Sequence, residues 1–251
     1  MAFLTCTHYS KILKKSMTFN VVIPEGCKED IPAVYLLHGL SDDHTMWCRR
    51  TSAERYADKY GVALIMPNAD RSFYTDMKNG GKYYSYISEE LIEYTRDLFH
   101  LSHKREKNFT CGLSMGGYGA LKIAFRNPER FAKTAAFSAV ADIVHQIKTA
   151  QWWPQDIINI WGEDAASTVE GTDDDLFALA EKLDKADVKP AVRHYCGTED
   201  FIYEDNVKFK NFMEKTSFDY KYSEAPGGHT WDMWDRWLPE ALEFFVDAQD
   251  K

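Results

Sequence analysis

Residues 108–127 read NFTCGLSMGGYGALKIAFRN: a short apolar run, a serine set among glycines, then an apolar pattern at helical spacing that Pro128 stops. A serine hydroxyl is a weak nucleophile. It becomes useful when a sharp strand-to-helix turn lifts it out of a sheet to where a base can reach it. The glycines flanking Ser114 make that turn possible, and Gly117 and Gly119 allow the following helix to pack closely. The stretch predicts a strand, an elbow at Ser114 and a helix beginning near Met115.

Working outward, AVYLLHG (33–39), GVALIMPNA (61–69), FAKTAAFSAV (131–140) and AVRHYCG (191–197) are short, nearly continuous apolar runs separated by helical patterns. Strands buried on both faces look like this, and the alternation is that of a mostly parallel, doubly wound sheet. AFLTCTHYS (2–10) and SMTFNVVIP (16–24) instead alternate polar and apolar, as an N-terminal antiparallel hairpin would. Helices are predicted over SEELIEYTRDLF (88–99), after Ser114, and over DRWLPEALEFFVDA (235–248). The expected fold is thus α/β, with helices on both faces of the sheet and one domain over residues 1–251. Residues 141–189 contain no evident strand and read as an insertion over one sheet edge, or a lid.

The chain has 251 residues, 45% of them hydrophobic, enough for one large domain that buries roughly three quarters of its unfolded surface. Its charge of −9, from 39 acidic and 30 basic residues, comes without a dense Lys/Arg cluster, so nucleic acid is not an expected partner. No run approaches the ~18 apolar residues of a membrane span. The N-terminal lysines follow a very short apolar stretch, unlike a signal peptide. Five cysteines with no CxxC pair fit neither a disulfide framework nor a zinc site, and a cytoplasmic location is expected. No GxxxxGK[ST] or GxGxxG turn occurs, and His100 and His103 have no third ligand nearby; neither cofactor nor metal is implied.

A base must follow the serine in this chain order, and His229 suits: SEAPGGHTWDMW carries it on a Pro226-Gly227-Gly228 loop before the last helix. His194 sits inside an apolar run, where a buried structural role fits better. The acid that orients the imidazole should lie just past the preceding strand, where Glu199 and Asp200 stand. Asp200 has the shorter side chain and is preferred, Glu199 being read as a solvated loop residue, with Asp142 as runner-up. Asp173, Asp174 and Asp175 read as a solvated cap at a helix start. Oxyanion donors are expected from the Met115 amide, at a helix start where N–H groups are unpaired, and from the Leu40 amide after the strand ending at His38-Gly39. His38-Gly39 also reads as a plain strand end. Trp152, Trp153 and Trp161 could line a pocket or form their own small core; Trp47, Tyr74 and Tyr84 are open in the same way. Candidate substrate contacts are His38, Trp47, Tyr84, Trp152 and Trp153.

These blocks, with YLLHGLSDDHTMW (35–47), MPNADRSFYTD (66–76), CGTEDFIYEDN (196–206) and GGHTWDMWDRWLPEAL (227–242), resemble the tributyrin esterase and esterase D group of α/β-hydrolases over about four fifths of the chain. That group is related to S-formylglutathione hydrolase and to feruloyl and acetyl-xylan esterases. The resemblance implies Ser114, Asp200 and His229 as a catalytic triad, Leu40 and Met115 as oxyanion donors, and hydrolysis of short-chain acyl or aryl esters through an acyl-enzyme. It leaves feruloyl or acetyl-xylan esters as the alternative, places the glutathione thioester lower, and allows for a homo-oligomer. Activity should fall on the acid side of roughly pH 6 to 7, where a histidine base protonates. Acyl transfer to an alcohol would use the same residues, and a non-catalytic binding protein would have no reason to keep them together.

Overall fold

The computed structural model describes residues 1–26, 29–149 and 153–246. Eight strands form one sheet in the order β1-β2-β4-β3-β5-β6-β7-β8. They are β1 (Ala2–Ser10), β2 (Lys15–Ile23), β3 (Ala33–Leu37), β4 (Ala63–Pro67), β5 (Asn108–Leu113), β6 (Lys133–Phe137), β7 (Ala191–Gly197) and β8 (Tyr220–Ala225). β1 pairs antiparallel with β2, and β2 with β4; every pairing from β4 across to β8 is parallel. The expected hairpin and parallel sheet are both present.

Between β3 and β5 run α1 (Met46–Arg50), α2 (Ala53–Tyr60) and the helical stretch α3 (Tyr83–Ser85), a π turn (Tyr86–Glu90) and α4 (Leu91–Phe99). α5 (Met115–Arg126) follows β5. Between β6 and β7 come α6 (Ile143–Thr149), α7 (Pro154–Trp161), α8 (Ala165–Thr168) and α9 (Leu176–Asp184); α10 (Tyr203–Met213) and α11 (Trp231–Val246) flank β8.

The continuous apolar strands are explained by two cores. Val34 and Leu36 of β3 face Trp47, Trp234 and Leu238, whereas Tyr35 and Leu37 face Phe73, Tyr118 and Ala124. Alternate side chains of one strand thus bury on opposite faces, each worth roughly 1.5–3 kcal/mol of transfer free energy when fully buried.

Within residues 141–189, α9 lies over the middle of the sheet and not its edge. α9 packs on α5, which itself packs on the central strands β5, β6 and β3. The join is polar and buried: Tyr118 OH donates to Asp174 O at 2.7 Å, and the fully buried Lys122 donates to Asp174 Oδ1 (3.0 Å), Thr75 Oγ1 (2.6 Å) and Phe73 O (3.2 Å). Of the three aspartates read as solvated, Asp175 caps α9 through the Phe177 and Ala178 amides, whereas Asp174 neutralises Lys122 and accepts from Trp161 Nε1. A charge so deep needs a partner, and only the tertiary contact reveals it.

Candidate active site

Ser114 stands between β5 and α5 at φ 54°, ψ −120°, a conformation in the left-handed half of the backbone map that L-residues rarely adopt. Three backbone hydrogen bonds hold it there: its N–H to Phe137 O (2.9 Å), and Val140 N–H and Tyr118 N–H to its carbonyl (3.2 and 3.0 Å). The close approach requires glycine at two positions. A Cβ on Gly112 would lie 2.3 Å from Gly116 O, and one on Gly116 would lie 2.3 Å from Leu37 O. The start of α5 is thereby pressed against the end of β3, bringing the Met115 amide next to the loop that follows His38.

On that loop, a Cβ on Gly39 would stand 3.6 Å from Ser114 Cβ. The Leu40 and Met115 amides donate to no protein acceptor among the described residues. His38 serves as a strut. Its Nδ1–H donates to Gly39 O (2.8 Å), and its Nε2 accepts from Ala69 N–H (2.9 Å), tying the β3 loop to the β4 loop. Burial pushes this imidazole down to about 4, against the Gly39 hydrogen bond, so it stays neutral. Arg71 adds a second tie, donating to Ser41 Oγ (2.5 Å) and forking onto Asp156 of α7 (Nε–Oδ1 3.0 Å, Nη2–Oδ2 2.6 Å).

His229 lies on the β8–α11 loop, and its Nδ1 is 3.0 and 2.9 Å from the two carboxylate oxygens of Asp200. The loops are locked together by Glu199 N–H on Gly227 O (3.0 Å), where a Gly197 Cβ would meet the same oxygen at 2.1 Å. The Asp200 side chain is fully buried and that of His229 is 17% exposed. Burial opposes ionisation of Asp200, but the hydrogen bond and charge of His229 and the Ile202 N–H (3.0 Å) hold its carboxyl below the usual value. With Nδ1–H committed to Asp200, Nε2 is the nitrogen left to accept a proton. No Ser114 Oγ–His229 Nε2 hydrogen bond is formed among the described residues, a contact that commonly tightens only when substrate seats.

The other candidates lie elsewhere. Asp142, the runner-up acid, pairs with Lys208 and caps the His145 N–H. Glu199 is exposed, as expected. His194 is buried between Asn206 Oδ1 (2.7 Å) and Tyr220 OH (2.8 Å). Of the five expected substrate contacts, four are corrected and one falls out of view. Trp47 is 1% exposed and donates Nε1–H to Leu37 O (3.0 Å), a core residue. His38, equally buried, uses both ring nitrogens on the backbone. Tyr84 lines a cavity of about 500 Å³ with Arg126 at the far end of α5 from Ser114. Trp153 is buried and stacks on Phe73 (4.4 Å, 11°), with Trp161 edge-on, so these two form a small core. Trp152 lies outside the described residues.

Two neighbours escape sequence reasoning. Phe201 is exposed with its ring 4.6 Å from that of His229, and Asp42 lies beside Gly39. Neither carries a spacing signal; their importance comes from where two separate loops meet.

The family described as "Putative esterase" matches residues 10–245. An acetyl esterase of Caldicellulosiruptor saccharolyticus is 32% identical across the whole of both chains. Among solved structures, the fluorophosphonate-binding serine hydrolase FphF of Staphylococcus aureus superposes with a TM-score of 0.91 at 33% identity, covering 98% of each chain. The S-formylglutathione hydrolase FrmB of the same organism gives 0.88 at 34%, covering 98% of this chain and 99% of the other. No described helix is long and apolar enough to cross a membrane.

Proposed function

Since the chain belongs to the esterase family of α/β-hydrolases and is a carboxylic ester hydrolase, we propose that Ser114, Asp200 and His229 carry its chemistry on short-chain acyl esters. The observation that supports this most is the strained elbow of Ser114, with Gly39 against its Cβ. Strain of this kind costs of order 1–3 kcal/mol and is kept where a side chain must be presented.

In the proposed cycle, His229 Nε2 takes the Ser114 proton as Oγ attacks the acyl carbon. The Leu40 and Met115 amides receive the oxyanion, each donor worth about 3 kcal/mol in the transition state. The imidazolium returns its proton to the leaving alcohol, and the acyl-enzyme remains. Water then repeats the sequence: His229 takes its proton, hydroxide oxygen joins the acyl carbon, and collapse frees the acid and Ser114. Asp200, ionised throughout, holds the Nδ1–H tautomer and stabilises the imidazolium. The acetyl esterase relative favours a small acyl group; feruloyl and acetyl-xylan esters are the alternative. The four described cysteines are free thiols, in keeping with a reducing, cytoplasmic setting.

The test is Ser114→Ala against wild type on p-nitrophenyl acetate, butyrate and octanoate, methyl ferulate and S-formylglutathione. Turnover should fall by roughly 10³-fold or more on every substrate, with the fold intact by circular dichroism. Retained turnover would remove Ser114 from the mechanism.

A further inference from the structure

Asp42 closes a tight turn after the oxyanion loop, its N–H on Gly39 O at 3.2 Å. The point where a Gly39 Cβ would sit is 3.3 Å from Asp42 Oδ2 and 3.6 Å from Ser114 Cβ, so carboxylate and serine border the same small volume. His229 is near enough to act on its charge.

Neighbouring carboxylates all have donors. Asp43 is held by the Thr45 N–H and hydroxyl, Asp70 by Lys15 and Tyr83, Asp156 by Arg71, and Asp200 by His229. Asp42 is half-buried yet, among the described residues, pairs with no side-chain donor. The groups that face it are the Gly39 backbone, Asp43, Arg50 and His229. Burial pushes its carboxyl up to about 6, against the Gly39 amide. A half-desolvated carboxylate whose only partner is a backbone amide is costly to the free protein and is relieved by a ligand that supplies positive charge.

His229 fixes which part of the substrate that is. The imidazole hands its proton to the departing alcohol, so a group that faces it from beside Ser114 borders the leaving group. The exposed Phe201 ring, 4.6 Å from His229, adds an aromatic face of the kind that attracts alkylammonium groups. We propose that Asp42 is a specificity-determining residue that selects leaving alcohols by charge, favouring cationic over neutral and disfavouring anionic ones. The inference rests on the Ser114–His229 reading. It also bears on the glutathione thioester, whose leaving thiol carries two carboxylates against one ammonium.

Acetylcholine and 3,3-dimethylbutyl acetate have the same shape and differ by one charge; 3-acetoxypropanesulfonate supplies the anion. The readout is the ratio of kcat/KM between substrates, from pH 5 to 8, in wild type and Asp42→Asn. Protonation of His229 affects both members of a pair equally and cancels. In wild type at pH 8 the cation should be favoured over its isostere by about tenfold and the anion disfavoured comparably. Both preferences should shrink as pH falls through about 6, and both should approach one in Asp42→Asn. Should that variant not fold, the wild-type ratio alone decides: a ratio that does not change with pH overturns the inference, as does one identical in the two proteins. Ser114→Ala separates the two levels. If it abolishes turnover while the ratio stays flat, only the role of Asp42 fails; if it leaves turnover intact, the underlying reading fails.

Discussion

Asp200 offers both carboxylate oxygens to one imidazole nitrogen, and this geometry makes a specific demand on the His229 tautomer. Replacing it with asparagine preserves size but puts an amide that can donate where only acceptance is wanted. The imidazole can then turn Nε2–H toward Ser114, the wrong tautomer for a base. Asp200→Asn should lower kcat on p-nitrophenyl acetate on the order of 10³- to 10⁴-fold with little change in KM. Asp142→Asn, which disturbs only the pair with Lys208, should leave kcat within about twofold. Stopped-flow and steady-state assays of the two variants side by side check both; equal losses would mean that the acid has been misassigned.

At the scale of elements, the loop after β3 is held from two sides, by His38 inside and by Arg71 outside. Ser41 sits at φ 72°, a strained conformation for a non-glycine residue, and the Arg71 hydrogen bond fixes the hydroxyl next to the Leu40 amide. Arg71→Ala removes that tie and the fork onto Asp156 of α7. Because the Arg71 side chain is 44% exposed, although Asp156 is only 15% exposed, stability should change by about 1 kcal/mol. The Leu40 amide, proposed as an oxyanion donor, must be aimed and is more sensitive, so kcat should fall roughly tenfold while KM holds. Thermal melts and a kcat–KM split on one ester provide the check, and a loss confined to KM would assign Arg71 to substrate binding instead. The sequence exposed the elements themselves because continuous apolar strands and glycine-flanked turns are local signals. It also placed Ser114, Asp200 and His229 at strand ends by chain order. It misplaced Trp47, Tyr84 and Trp153, since an aromatic side chain looks the same whether it fills a core or a pocket, and only packing partners such as Leu37 O or Phe73 decide. Lys122 and Asp174 were invisible for a related reason. They are 52 residues apart, and an ion pair of that span has no periodicity.

Across the whole molecule, the two most deeply buried of the described histidines, His38 and His194, tie folding to pH, with His8 shifted down in the same direction. Burial pushes both His38 and His194 down to about 4, against the Gly39 hydrogen bond and the Asp43 and Asp70 charges at the first and the Asn206 hydrogen bond at the second. Their ordinary value in an unfolded chain is about 6.5. Between these values the unfolded chain binds protons that the folded chain excludes, so stability is fully present above about 6.5 and is lost as pH falls through 4. At pH 5 each histidine should already have withdrawn about 2 kcal/mol. Asp200, held below its usual value, loses stability in the same direction at lower pH, while Asp42, raised to about 6, opposes them by favouring the protonated folded state. Two histidines outweigh one half-exposed carboxyl. Urea unfolding at pH 7.5, 6 and 5 should therefore show a midpoint that drops steadily, with most of the loss before pH 5. His194→Asn removes one of these titrating groups, so its stability, lower at pH 7.5, should fall less steeply with pH than that of wild type. Parallel pH profiles for the two proteins would mean that His194 does not carry the dependence.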